Sequence, residues 1–445
     1  MTLWGGRFEE PPDEAMWRFT VDHADRRLLG VDIEGSLAHV KMLGEVGILS
    51  SEQADRLVEG LVVVLEESEN DGFMFSATDE DVHSAVERRL YELVGPLAGK
   101  LHTGRSRNDQ IALDTRLYLK RAAFDRIAQI RSLVGVLVQA AEDVGSVVVP
   151  VYTHLQQAQA IPLAHHLLAY AWMLRRDADR FGGVMARLDV SPLGAGAAGG
   201  SSLPLDPRSV ADSLGMAAVF ENSIEAVGSR DIVAEYTFCA AQSMVTLSRL
   251  AEELVLWATS EFDWLTFSDR YSTGSSALPQ KKNPDIAELV RGKSARVIGD
   301  VVSILTLQKG LPMAYNRDLQ EDKAAVFHAD DVLAGALEVL AGLLTSAEFH
   351  APEPSSWVAA LDLAEALVGR GVPFREAHQS VGELVARLVS EDRNLSDLSV
   401  DELTSSHGLF QPQDLDLLDP KGSVQRRRLD VQVADQIAHL RDWLN

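Results

Sequence analysis

Between Ser229 and Thr273 the chain runs for 45 residues without glycine or proline. Apolar residues there mostly recur every three or four positions, at Ile232, Tyr236, Cys239, Ala240, Val245, Leu247, Leu250, Leu254 and Trp257. That is the period of a helix with one buried face, and it makes Cys239 a core residue. Proline costs about 3 kcal/mol inside a helix and glycine about 1, so such a gap predicts a long helix. Arg105 to Val134 is a second such run; Met313 to Ala351 is free of proline, and Pro162 to Val190 carries glycine only at Gly182 and Gly183. Thirty helical residues extend about 45 Å, far longer than an average globular helix, so a bundle core is expected.

Shorter helices are expected at Ser36 to Gly44, at Ser51 to Glu67 with Ser51 as N-cap, and at Trp357 to Gly369, Phe374 to Ser390 and Val431 to Leu444. The acidic segment Glu391 to Asp419 reads as loop. No alternating apolar and polar run is long enough for a major sheet. The expectation is therefore an all-α chain in three parts: a helical domain over 1–105, a central long-helix bundle over 106–357 and a small helical domain over 358–445.

Composition narrows the partners. The 445 residues are 46% hydrophobic and 24% charged, enough for a large core, and the net charge of -25 excludes a general polyanion surface. No nucleic acid is expected, and an anionic ligand must be captured locally. The single cysteine, Cys239, permits no intramolecular disulfide and no thiolate metal cluster, so a reducing, cytoplasmic setting is expected. The start of the sequence has no leader-like pattern, and no apolar run approaches the ~20 residues of a membrane span.

Four polar clusters interrupt the helical background. His102-Thr103-Gly104-Arg105-Ser106-Arg107-Asn108-Asp109 precedes a long helix, whose free N–H groups and positive dipole end suit a carboxylate or phosphate. Thr153-His154-Leu155-Gln156-Gln157-Ala158-Gln159 sets one histidine, able to exchange a proton near neutral pH, beside a threonine and three amides. The stretch Ser191 to Ser202 contains G-x-G-x-x-G at Gly194, Gly196 and Gly199. Without a surrounding βαβ pattern this is not a dinucleotide fingerprint, though the loop can still shape a site.

The fourth cluster, Ser272 to Asp285, packs hydroxyl, ammonium and amide groups into one loop. A serine can act as a base only if its alkoxide is stabilised, and a nearby ammonium such as Lys281 supplies that; the same charge can hold a developing oxyanion. The competing Ser-His-Asp hydrolase lacks a G-x-S-x-G elbow.

Gly274-Ser275-Ser276-Ala277-Leu278-Pro279-Gln280-Lys281-Lys282-Asn283-Pro284 resembles the signature of the aspartase/fumarase superfamily. Leu3-Trp4-Gly5-Gly6-Arg7-Phe8, the stretch His102 to Gln110, and Tyr315-Asn316-Arg317-Asp318-Leu319-Gln320-Glu321-Asp322-Lys323 are similar to its argininosuccinate lyase branch. The resemblance runs from about residue 3 to about residue 430. It implies a mostly helical three-domain subunit forming a homotetramer, with each active site completed by three chains. The implied reaction splits argininosuccinate reversibly into arginine and fumarate, with no metal and no cofactor, as part of arginine biosynthesis.

Residue roles follow from the same resemblance. Ser275 matches the base, Lys281 and Asn283 the groups holding the substrate carboxylate and its extra charge, His154 the histidine that acts as the acid, directly or through a water, and Glu288 its carboxylate partner; the resemblance leaves open which of Ser275 and His154 moves which proton. Ser106, Arg107, Asn108, Thr153, Arg230, Tyr315, Gln320 and Lys323 match substrate contacts. Glu288 can equally pair with Arg291 one helical turn on.

Three positions depart from the pattern. Asp22 stands where relatives usually carry a substrate-contacting serine, and a carboxylate there favours a cationic group. Ala160 replaces a proline and is expected to loosen a helix start. The segment Ser423 to Arg428 lacks the Gly-Gly-Thr often found nearby. The alternatives are a sister fumarate-forming lyase with another leaving amine, or a non-catalytic crystallin-like relative.

Overall fold

The computed structural model describes residues 12–427 and 432–445. The motif Leu3 to Phe8, together with Arg428 and Val431, lies outside the described residues. Among the described residues no helix is long and apolar enough to cross a membrane.

The first hundred residues form four helices: α1 (Glu14–Thr20), α2 (Leu29–Glu45), α3 (Ser51–Glu69) and α4 (Val82–Val94). Helix α3 starts one residue earlier than its sequence pattern indicates. Its cap is Ser50, not Ser51, because Ser50 Oγ accepts from Gln53 N–H at 3.3 Å while Gln53 Oε1 accepts from Ser50 N–H at 3.3 Å. This reciprocal pair satisfies two otherwise orphaned donors.

The helix α5 (Arg107–Asp143) carries the first polar cluster at its start. It runs straight through Gly135, since one interior glycine costs only about 1 kcal/mol. The second cluster is not a helix start. Two strands, β1 (Val148–Thr153) and β2 (Gln156–Pro162), form an antiparallel hairpin, and α6 (Leu163–Leu188) begins only after Pro162. Ala160 accordingly sits in a strand opposite Pro150, buried, rather than at a helix end.

The glycine-rich loop follows, between β3 (Val190–Ser191) and α7 (Pro207–Ser213). A two-residue strand β4 (Ala218–Val219) pairs with β3 in parallel, and α8 (Ser223–Gly228) leads into α9 (Asp231–Trp257).

Helix α9 ends well short of Thr273, against the expectation of one 45-residue helix. Past Trp257 the short polar side chains compete for backbone groups: Thr259 Oγ1 donates to Leu256 O at 2.7 Å and accepts from Phe262 N–H at 3.3 Å. The chain then forms β5 (Leu265–Thr266), and β6 (Thr273–Gly274) and β7 (Lys282–Asn283) pair across the fourth cluster. Helices α10 (Asp285–Gln308) and α11 (Asp322–Thr345) follow, and β8 (Glu348–Phe349) pairs with β5.

The C-terminal part holds α12 (Ala360–Gly369), α13 (Phe374–Ser390), α14 (Val400–Ser406), α15 (Pro420–Arg426) and α16 (Val433–Leu444). The segment 391–419 is thus not a plain loop: α14 and a 3₁₀ turn at Pro412–Leu418 interrupt it. Ser399 caps α14 through a capping box with Glu402, a signal its acidic composition masks. A core of Leu363, Leu367, Leu384, Leu388, Leu395 and Leu403 binds these elements together.

By internal contacts the chain forms two compact units: 1–127 with 179–242 and 295–334, and 128–178 with 243–294 and 335–445. The five longest helices contribute residues to both. In the first unit α5, α9 and α11 share a polar seam in which Tyr236 Oη and Arg126 Nη1 both meet Asp330, the latter at 3.2 Å. In the second, Thr246 Oγ1 of α9 donates to Asp177 of α6 at 2.8 Å.

Candidate active site

In the first unit the site is assembled around the start of α5. Asp109 ties the local turn together: its Oδ1 accepts from Ser106 N–H at 2.9 Å, and its Oδ2 accepts from Gly194 N–H at 3.1 Å and Gly196 N–H at 2.8 Å. Asn108 Nδ2 adds a bond to Ala197 O at 3.1 Å. The G-x-G-x-x-G stretch therefore clasps a carboxylate of its own chain. Glycine is required at position 196, where φ is +61° and a Cβ would lie 2.7 Å from Gly200 O.

Below this cluster His39 is buried, and its Nε2–H donates to Thr103 O at 2.9 Å. Burial, aided by the Arg105 charge, lowers the imidazole to about 3, so it stays neutral.

Next to the α5 start lies a cavity of about 470 Å³ whose wall includes Arg107, Asn108, Tyr315, Gln320 and Lys323, together with Asp22. Five of the sequence candidates are thus brought together. Lys323 is buried and donates to Asp322 Oδ1 at 2.9 Å, while Arg230 Nε donates to Asp322 Oδ2 at 2.6 Å. Arg230 does not line the cavity: it is buried behind this carboxylate, and through Asp322 it braces Lys323. Ser106 likewise serves the helix start, its Oγ accepting from Asn108 N–H at 3.2 Å. Asp22 Oδ1 accepts from Ala24 N–H at 3.0 Å. The segment before it is pinned because Thr20 O accepts from Gln320 Nε2 at 3.2 Å and Arg317 Nη2 at 2.9 Å.

His102 of the first cluster also lines the cavity, with four groups that sequence reading passed over: Asp25, Asp81, His83 and Glu87. Glu87 lies 3.4 Å from both His102 Nδ1 and Arg107 Nη2. Burial would raise its carboxyl, but the His102 contact and the Arg107 charge outweigh that and hold it below its usual range. Behind His83, Asp32 and Asp114 are buried, with Gln110 donating to Asp32 at 2.5 Å and Arg105 close by. The one sequence signal for this network is polar residues, Asp32, His39, His83 and Asp114, at helix positions otherwise apolar. Asp32, His83 and Asp114 each place a donor atom within 4.8 Å of the others, a spacing that could hold a cation, although Arg105 already supplies positive charge there.

Thr153, His154, Ser275, Lys281, Asn283 and Glu288 belong to the second unit. His154 and Leu155 form the two-residue turn of the β1–β2 hairpin, with Thr153 paired to Gln156. Their φ values are +55° and +56°. Such turns normally employ asparagine and glycine, because a side chain in the left-handed region costs roughly 1–2 kcal/mol. A histidine and a leucine in that place mark a strained, exposed tip. Ser275 sits in the loop between β6 and β7, its Oγ accepting from Leu278 N–H at 3.1 Å and Ala277 N–H at 3.3 Å. Lys281 ends the same loop, and Asn283 lies on β7, paired with Thr273. Glu288, in the first turn of α10, is 3.8 Å from Arg291.

The chain matches the family model described as "Lyase" over residues 6–299 and the argininosuccinate lyase C-terminal model over 357–425. It is 47% identical over 437 residues to an argininosuccinate lyase of Carboxydothermus hydrogenoformans, covering 96% of this chain and 95% of that one. A second, from Roseiflexus sp., is 47% identical with 99% of each chain covered. Among solved structures, an EDDS lyase with bound formate superimposes with a TM-score of 0.83 at 29% identity, over 96% of this chain and 90% of that one. A class II fumarase from Schistosoma mansoni shares the fold, with a TM-score of 0.76 at 15% identity over 94% of each chain.

Long helices and a serine- and lysine-bearing loop of this kind define a lyase of the aspartase/fumarase superfamily. Within it, the chain belongs to the argininosuccinate lyase family.

Proposed function

We propose that this chain catalyses the reversible elimination of arginine from argininosuccinate, releasing fumarate, in the arginine-forming direction of metabolism. The observation that carries the reading is the grouping of Arg107, Asn108, Tyr315, Gln320 and Lys323 in one cavity, in a chain 47% identical to argininosuccinate lyases. The substrate has three carboxylates, one ammonium and one guanidinium. Arg107 and Lys323 offer charge to carboxylate, Asn108, Gln320 and Tyr315 offer directional hydrogen bonds, and the acidic Asp22 side of the wall suits the cationic groups.

The reaction removes a proton from the carbon beside a succinate carboxylate. The carbon to guanidinium-nitrogen bond then breaks, its neighbouring electron pair becomes the double bond of fumarate, and the nitrogen takes up a proton. In our reading Ser275 is the base, and Lys281 with Asn283 stabilises the extra negative charge on the carboxylate. His154, held on its strained turn, delivers the proton to the leaving nitrogen, with Glu288 as its carboxylate partner. Thr153, Ser106 and Arg230 complete and brace the substrate contacts.

We place this activity in a cytoplasmic homotetramer whose sites draw on three chains. Leu289, Ile298, Val302 and Leu305 on α10 are exposed apolar residues, the last three at helical spacing, and suit helix packing between subunits. A second reading, a sister lyase with another leaving amine, is favoured by the likeness to EDDS lyase, though at 29% identity against 47%. The test is fumarate absorbance on mixing purified protein with argininosuccinate, beside adenylosuccinate, aspartate and malate. Fumarate from argininosuccinate alone is expected. Fumarate from a different adduct would move the chain to a sister activity, and silence with all four would favour a crystallin-like role.

A further inference from the structure

The carboxylates that line the cavity beside the start of α5 are not equivalent. Glu80 lies 3.4 Å from Arg317 Nη1, Asp81 lies 3.8 Å from Arg107 Nε, and Glu87 lies 3.4 Å from Arg107 Nη2. Each of these three has a cation of its own chain beside it. Asp25 is buried, and its Oδ2 accepts from Val82 N–H at 2.9 Å. Asp22 differs from all four: it is only half-buried, and among the described residues it forms no ion pair. The basic residues next to it in sequence are engaged elsewhere. Arg26 lies over the Phe75 ring, 4.5 Å from its centroid, and Arg27 Nη2 donates to Asp331 at 2.7 Å.

One oxygen of Asp22 is spent and the other is free. Oδ1 accepts from Ala24 N–H at 3.0 Å, closing an Asx turn. Oδ2 receives no hydrogen bond among the described residues and stays open to solvent at the cavity wall. The place of this free oxygen is fixed from both sides. Two residues earlier, Thr20 O accepts from Gln320 Nε2 at 3.2 Å and from Arg317 Nη2 at 2.9 Å, both side chains of the same wall. Three residues later, Asp25 is tied to the start of α4. A loop held in this way presents its carboxylate with little ordering left to do on binding.

A carboxylate with one free oxygen suits one kind of cation. A guanidinium is a planar fork that is held best by both oxygens at once, whereas an ammonium is a compact point charge that a single oxygen can satisfy. The substrate of the proposed reaction carries both, its guanidinium joined to the succinyl group and its α-ammonium at the far end of the arginine part. We propose that Asp22 is a specificity-determining residue that pairs through Oδ2 with the α-ammonium of the arginine part. Naming arginine rests on the lyase reading; preferring its ammonium to its guanidinium rests on the single free oxygen. An adduct whose leaving amine has no ammonium forfeits this contact and is selected against.

The experiment is calorimetric titration of the full chain with L-arginine, with δ-guanidinovalerate, which lacks only the ammonium, and with L-citrulline, which lacks only the guanidinium charge. Wild-type protein should bind L-arginine about tenfold tighter than δ-guanidinovalerate, the effect of one charged hydrogen bond. In Asp22→Asn, which keeps an acceptor for Ala24 N–H, that advantage should vanish through weaker binding of L-arginine and L-citrulline, while δ-guanidinovalerate binds as before. Its unchanged binding also establishes that the variant site is intact. Equal binding of L-arginine and δ-guanidinovalerate by the wild type overturns the proposal without recourse to any variant, as does absence of L-arginine binding. Equal weakening of those two in Asp22→Asn, with L-citrulline unaffected, would assign Asp22 to the guanidinium and overturn it as well. Fumarate release from argininosuccinate, measured on the same preparation, reports separately on the lyase reading.

Discussion

Asp32 Oδ1 accepts the Nδ1–H of His83 at 2.8 Å with both side chains buried, and Asp114 Oδ2 lies 3.6 Å from the same ring nitrogen. Two carboxylates thus share one buried imidazole, beneath the cavity that His83 helps to line. Burial disfavours charge on both. The charge and hydrogen bond of His83, with Arg105 and Gln110, nevertheless hold Asp32 at about 2, while burial and the Asp32 charge push Asp114 well above the usual carboxylate range. Asp32 is thus the carboxyl that gives up its proton first, and Asp114 the one that holds its proton longer.

The two aspartates should therefore respond oppositely to replacement. Asp32→Asn removes the anion facing His83 and is expected to cost about 3–5 kcal/mol. Asp114→Asn puts an amide of the same shape where burial already disfavours the charged carboxyl, and is expected to change stability by no more than about 1 kcal/mol. The pH dependence follows in sign. The lowered carboxyl of Asp32 stabilises the fold above pH 3.8, and this is lost as pH falls toward about 2. The raised carboxyl of Asp114 stabilises at low pH and loses its contribution as pH rises through its folded value. Urea denaturation across pH should show, above pH 3.8, a smaller loss of stability with rising pH in Asp114→Asn than in the wild type.

The glycine loop gives a sharper local test. Gly196→Ala places a Cβ 2.7 Å from Gly200 O at a φ of +61°, so the loop must move and its N–H leaves Asp109. A loss of about 1–3 kcal/mol is expected. Because Asn108 hangs on the same loop through Ala197 O, the Michaelis constant should rise along with the stability loss. Steady-state kinetics with an unchanged Michaelis constant would show that the loop does not position Asn108.

At the hairpin tip, Leu155→Gly should stabilise by about 0.5 kcal/mol, since relief of left-handed strain outweighs the added chain entropy. Leu155 is exposed, so little packing is lost. Turnover should nonetheless fall, because a looser turn no longer aims His154. Thermal denaturation and turnover measured on one preparation separate the two effects; a variant both more stable and fully active would remove the strained turn from the mechanism.

For the chemical step, Ser275→Ala is expected to lower turnover by about 10²–10⁴-fold without altering the oligomer seen by light scattering. His154→Asn and Glu288→Gln should reduce the turnover number more than they raise the Michaelis constant. A rise in the Michaelis constant alone would recast both as binding groups.

Much of this architecture is legible in the sequence. Runs poor in glycine and proline locate α5, α6, α9 and α11, because those two residues carry penalties that act locally and independently of packing; α10, with Gly292 and Gly299, is not among them. The same logic failed past Trp257. There no glycine or proline stops the helix; Thr259 does so by hydrogen-bonding its neighbours, a competition that composition does not reveal. The cluster around His154 was legible as chemistry but not as a hairpin, since the turn uses residues that turn preferences disfavour.

What the sequence by itself determined is the helical class and the set of residue types able to do proton chemistry. Both rest on properties of single residues and their near neighbours: helix cost, period, hydroxyl beside ammonium. Which residues meet was decided by tertiary structure alone. Nothing local says that Asp109 closes on Gly194 and Gly196 across 85 and 87 residues, that Arg230 serves Asp322 rather than solvent, or that Asp32 and Asp114 converge on His83. Each of these depends on excluding water from polar groups, and burial is a property of the folded chain, not of any segment of it.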